Sequence, residues 1–190
     1  VEQEGNCKPD NTLYEMFIRN VAGPMDYTPG AMISMQPEVF HGSRPNNASI
    51  GTRAYQMALY IVMESGIQML SDTPSNYYRN PDCTDFIASV PVNWDDTQAL
   101  AAEAGQYEII AKRKGNKWFI GAVTNSSPRD IQIKLDFLET GKTYHMTSFE
   151  DGTNAATQAM HYVKKLRDVK CGDNITIHMV RNGGFAASLE

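Results

Sequence analysis

Apolar positions along this 190-residue chain change their spacing once, near Trp94. Before it, Pro and Gly punctuate irregular segments around one helical pattern; after it, short runs rich in Val, Ile, Tyr and Phe alternate with turn residues. Ala54, Met57, Ala58, Ile61 and Val62 recur at helical spacing, which predicts a helix capped by Thr52 or Ser49 and running to about residue 65. Leu59, Tyr60 and Met63 carry its apolar surface onto other faces, so it is expected to be packed on both sides. "GIQML", residues 66–70, then reads as a short buried strand and "SDTPSNYY" as a loop, an α/β rhythm.

In the second part the pattern predicts strands over residues 98–100, 107–114, 117–124, 131–137, 144–149, 162–166, 174–180 and 184–189. "KGNK" is a tight polar turn, with Gly115 and Asn116 suited to positive φ, so the first long pair is expected to be a hairpin. Short antiparallel strands in this number suggest a β-sandwich, and the boundary between the two parts falls within residues 91–105. No exact internal repeat or low-complexity tract interrupts the pattern.

Composition narrows the class. A hydrophobic content of 42% is normal for a packed domain, and a net charge of -5 with scattered Lys and Arg offers no basic stripe to track nucleic acid. No apolar run approaches the roughly 20 residues of a membrane-spanning helix. A start at Val1, without Met, is expected of a mature, processed or fragmentary polypeptide. Cys7, Cys83 and Cys171 lack the paired spacing of a zinc or redox motif and read as free thiols, with one pairing left open. The four His show no ligand spacing either.

Four carboxylates in the first part, Glu2, Glu15, Asp26 and Asp72, stand beside turn-forming residues, three of them near the ends of expected strands. In a parallel α/β barrel such positions converge on the active site. The competing reading makes Glu2 and Glu15 solvated surface acids and Asp26 and Asp72 turn residues that satisfy backbone N–H groups. Trp94, Trp118 and the Tyr residues could stack on sugar rings, but aromatics in alternating strands belong more often to a core.

The blocks "FIRNVAGPMDYTPGAM", "GTRAYQMALYIVMESGIQMLSDTPSNY", "EIIAKRKGNKWFIGAVTN" and "GGFAASL" resemble, in order, the C-terminal third of glycoside hydrolase family 97, in particular its Bacteroides-type starch-utilisation α-glucosidases. The resemblance implies the C-terminal part of a catalytic (β/α)8 barrel over residues 1–95 and an antiparallel C-terminal β-sandwich over residues 96–190. It also implies an exo-acting periplasmic enzyme that removes glucose from maltooligosaccharides with calcium in its site, the rest of the barrel and an N-terminal β-sandwich lying outside this chain. One departure is Gly66, where relatives often have Pro.

On the same resemblance Glu2 is the general base and a calcium ligand, Glu15 the proton donor or a second calcium ligand, and Asp26, Tyr27 and Asp72 contact the sugar. Pro24 and Pro29 stiffen the segment and Gly23 and Gly30 allow sharp reversals, which would hold Asp26 and Tyr27 at a strand end. The resemblance is to the family's inverting branch, which would set its two carboxyl groups about 6.5 to 9.5 Å apart to admit water, and a hard cation such as calcium suits carboxylate oxygens. Three alternatives stand beside this: an α-galactosidase of the same family, a non-catalytic glycan-binding sandwich, and a structural fragment without a site. Exposed parallel strand edges would make the chain dependent on a longer enzyme or a second chain.

Overall fold

The computed structural model describes residues 8–41 and 48–190. Helix α1 (Pro9–Ile18) leads through a short 3-10 turn to an extended segment; strands β1 (Ser34–Met35) and β2 (Ser49–Ile50) pair in parallel; α2 (Arg53–Val62), α3 (Pro74–Arg79) and α4 (Pro81–Ser89) follow. The remaining strands are β3 (Asp96–Glu103), β4 (Tyr107–Lys114), β5 (Lys117–Thr124), β6 (Arg129–Lys134), β7 (Thr143–Asp151), β8 (Tyr162–Lys170), β9 (Asn174–Met179) and β10 (Gly184–Leu189). They form an antiparallel six-stranded sheet in the order β3-β4-β5-β10-β7-β8 and a two-stranded sheet, β6-β9.

Both expectations for the antiparallel region meet the structure, with adjustments. The eight strands fall where the alternation placed them, but one sheet takes six and its partner only two; the partner covers one face of the large sheet and helices cover the other. The "KGNK" hairpin is real, yet only Gly115 has positive φ (58°); Asn116 does not, which fits a turn with Gly at the first central position rather than two left-handed residues.

Among the helices, Thr52 is the cap: its hydroxyl oxygen accepts from the Tyr55 N–H at 3.1 Å. All ten residues of α2 are buried, as the two-sided apolar pattern requires, although the helix ends at Val62 rather than residue 65. Residues 66–70 do not form a regular strand; a single parallel bridge, Tyr27 to Gln68, stands in its place. The expected loop over "SDTPSNYY" contains α3, and α1 and α4 arise where no apolar period announced them. Each of these three helices has Pro in its first turn, where a missing N–H costs nothing.

Two apolar layers result. Between the two sheets lie Ile109, Ile120, Ile133, Leu135, Ile177 and Leu189, with Trp118 buried against Phe137 at 4.7 Å. On the opposite face, α2 and α4 cover the row Ile110–Gly121–Ala186–Phe149 formed by register across β4, β5, β10 and β7. The helix sits so close that a Cβ on Gly184 would stand 2.5 Å from Tyr55 Cα, and one on Gly121 2.9 Å from Ile61 Cβ. Beside this layer Lys112, fully buried, pairs with Glu64 and lies over the Trp94 ring at 5.6 Å.

Two carboxyls, Asp151 buried and Glu108 partly buried, complete the joint. Asp151, at the end of β7, accepts from the Val180 and Gly184 N–H groups at 3.0 and 3.1 Å. Burial nevertheless pushes its pKa up to about 7. Glu108 is likewise pushed by burial to about 7. Both bind their protons more tightly folded than unfolded, so their contribution to stability is full below the ordinary carboxylate range and is lost as pH rises through about 7.

Gly184→Ala should destabilise the fold by about 2 kcal/mol or more, because backbone rather than a flexible side chain blocks the new methyl. Gly66→Ala, where nothing lies within 4 Å, should change thermal stability little. In melts at pH 5 and pH 8, Asp151→Asn, which keeps an acceptor oxygen for Val180 and Gly184, should lose less stability with rising pH than the parent; equal slopes would contradict this assignment.

Candidate functional site

Two extended segments lie side by side in the first part of the chain and run the same way. Met25 N donates to Glu64 O at 3.0 Å, Met69 N to Tyr27 O at 3.1 Å and Ser71 N to Pro29 O at 3.2 Å, around the Tyr27–Gln68 bridge. Helix α2 connects them, giving a strand–helix–strand unit whose far ends are Gly30 and Asp72.

Polar residues from α2 fasten those ends. Arg53, Gln56 and Tyr60 stand at i, i+3 and i+7, one stripe on an otherwise apolar helix. The Tyr60 hydroxyl lies 2.8 Å from Pro29 O and 3.0 Å from Met69 O, bridging the segments, and burial holds its pKa far above the usual phenol value. Gln56 Oε1 accepts from Gly30 N at 3.0 Å while its Nε2 donates to Ile50 O. Gly30 has φ 86° and faces Tyr60 so closely that a Cβ would meet the hydroxyl at 2.5 Å. Tyr77, raised by burial to about 12, donates to Gly30 O at 3.0 Å and accepts from Asp72 N at 3.1 Å.

Asp72 is the hub of this loop cluster. Its Oδ2 accepts from Met32 N at 2.8 Å and Ile33 N at 3.3 Å; its Oδ1 accepts from Thr73 N and Asn76 Nδ2, each at 2.7 Å. A carboxylate has about four acceptor positions, and protein donors take them all. On the other side of the same peptide, Arg53 donates to Met32 O at 2.6 and 3.1 Å, to Asn80 Oδ1 at 2.9 Å, and lies 5.5 Å from the Tyr162 ring of β8. Residues 30–33 are thus clamped from both sides. The sequence held the signal, polar residues in a helical stripe on a buried helix, but the spacing drew no functional inference.

The other expected residues are placed more loosely. Glu2 lies outside the described residues. Glu15 sits half-buried in the second half of α1, its pKa raised by burial. Arg19, four residues on, turns to the carbonyls of Gly23 and Pro24. Asp26 is exposed and Tyr27 half-buried at the bridge. Among the described residues no hydrogen bond or ion pair joins Glu15 to Asp26 or Asp72, and no group of three or more His, Cys, Asp or Glu stands close enough to hold a metal ion. With Glu2 outside the described residues, Glu15 alone does not make a calcium site. Cys83 and Cys171 are free thiols; Cys7 lies outside the described residues.

Residues 93–190 match the family model described as "Glycosyl-hydrolase 97 C-terminal, oligomerisation", and the chain belongs to glycoside hydrolase family 97. It is 42% identical over 184 residues to a retaining α-galactosidase of Bacteroides thetaiotaomicron, covering 95% of this chain and 28% of that protein. A probable retaining α-galactosidase of Streptomyces bingchenggensis is 34% identical, with 90% of this chain and 24% of that protein covered. Family 97 enzyme structures from Pseudoalteromonas sp. strain K8, in complex with panose and with acarbose, superpose with a TM-score of 0.84 at 34% identity, over 96% of this chain and 28% of theirs. The chain therefore spans about a quarter of the length of the relatives it matches.

In the full-length enzyme, Asp72→Ala should lower stability by about 2 kcal/mol or more and expose residues 30–33 to protease, because it orphans amide donors at a packed turn. A change within about 0.5 kcal/mol would mark Asp72 as an ordinary surface acid.

Proposed function

We propose that the chain is the C-terminal part of an exo-acting family 97 α-galactosidase that releases terminal α-linked galactose with retention, and that its two parallel segments are strands of the catalytic barrel. The observation that carries this reading is the extent of the 42% identity: it spans the parallel segments and the clamped loop as well as the sandwich, and that relative is named a retaining α-galactosidase. Ile18, Val21, Ile67 and Leu70 are exposed on and beside these segments, an apolar surface of the kind that further barrel elements would cover.

Retention needs a nucleophilic carboxylate about 5 Å from an acid/base carboxyl. The nucleophile then comes from the part of the enzyme beyond this chain, and Glu2 or Glu15 supplies the proton; the burial of Glu15 moves its pKa in the direction a donor needs. Asp26 and Tyr27 contact the sugar, and Asp72 with Arg53 keeps the loop that borders it in place. The family model's description supports a second task for the sandwich, contact between copies of the enzyme.

An inverting, calcium-assisted α-glucosidase is the second reading, favoured by the panose and acarbose complexes of the 34% identical structures. The full-length enzyme should be offered an α-galactoside and maltotriose, with and without a calcium chelator, and the first-formed anomer read by proton NMR. Early α-galactose supports the proposal. Early β-glucose that vanishes with the chelator establishes the second reading instead, and no sugar release from either substrate leaves a glycan-binding module.

A further inference from the structure

Strand β8 is an outer strand of the six-stranded sheet, nine residues long. Which of its backbone groups face outward follows from β7. His145 exchanges both backbone hydrogen bonds with Glu190, at 2.8 and 3.2 Å, so its N–H and C=O point away from β8. Asp168, opposite His145, is therefore in a non-hydrogen-bonded pair, and its own backbone groups point to the open edge. By alternation those of Lys164 and Leu166 do the same.

An edge bearing Lys ordinarily resists sheet extension. One register removes the obstacle. In an antiparallel pairing of two copies centred on Leu166, each Leu166, 78% exposed, faces the partner's Leu166, and Lys164 faces the partner's Asp168 twice over. Lys165 and Arg167, which meet across the other face, are both compensated by Glu150 within their own chain, at 2.6 and 3.0 Å. Moving the centre by one residue would instead set Lys165 against its own copy, or Arg167 against its own copy.

We propose that β8 joins two copies of the enzyme, antiparallel about Leu166, continuing one six-stranded sheet into the other. The inference rests on the reading that the sandwich serves self-association, and adds the surface and the register. Symmetry makes the contact self-complementary, the usual form of a two-fold dimer.

The test uses the full-length enzyme in sedimentation velocity. Asp168→Lys should weaken dimerisation by about 100-fold, since it sets like charges opposite each other at two places, and Lys164→Asp in the same chain should restore it to within about 10-fold. Leu166→Cys should form a cross-linked dimer under mild oxidation, the paired Cα atoms of a hydrogen-bonded position standing about 5.5 Å apart, within disulfide reach. The parent, with its own cysteines, should not cross-link. A parent monomeric at tens of micromolar would overturn both the association reading and this surface. A dimer indifferent to Asp168→Lys, with Leu166→Cys failing to cross-link, would overturn the surface alone.

Discussion

Everything in this chain is arranged around the distance between α2 and the large sheet. Glycines at 121 and 184, with Ala186 between strands, remove the side chains that would hold the helix off, so backbone meets side chain and even backbone across the contact. Close approach multiplies dispersion contacts and excludes water, and it makes every residue of α2 a buried one. A helix so enclosed has no solvent face for polar residues. Three that it carries, Arg53, Gln56 and Tyr60, find partners inside, in the ends of the parallel segments and the loop just beyond them.

That requirement links the core to the candidate site. The peptide at Met32 is gripped through its N–H by Asp72 and through its C=O by Arg53, while Gly30 is held at N–H and C=O by Gln56 and Tyr77. Such a loop loses little entropy on meeting a ligand, because folding has already ordered it. The carboxylate that sequence position singled out as a sugar contact has its oxygens engaged by the protein, which gives it a positioning task whatever else the complete enzyme adds.

The strands of the sandwich were legible because alternation is a strong local signal and every one of β3–β10 has a short polar turn beside it. What alternation could not reveal was the division into six and two, since pairing across β5, β10 and β7 depends on contacts far apart in sequence. Helix α2 was legible from its periodic apolar residues; α1, α3 and α4 were not, being short, weakly periodic and begun by Pro, a residue read there as punctuation rather than as a first helical turn. Asp26 and Asp72 stood out through turn chemistry and their place near expected strand ends, whereas Tyr27 and the sugar-contact role of all three came from the family resemblance. The Arg53–Gln56–Tyr60 stripe lies in the same line of text, but Tyr60 counted there only toward the apolar surface and Arg53 and Gln56 carried no inference, because their partners are backbone groups remote in sequence.

One consequence concerns modularity. Arg53, which grips the loop, rests against Tyr162 of the sandwich, and Tyr162 in turn donates to Asp82 of α4 at 2.8 Å. The start of α2 hangs from sandwich backbone as well, with Thr52 N on Asn182 O and Arg53 N on Ala159 O. A chimera that exchanged sandwiches between two such enzymes would therefore transplant part of the loop's anchorage along with the domain. A cut between the sandwich and helices α2 and α4 would sever these cross-braces, so the two behave mechanically as one exchangeable block.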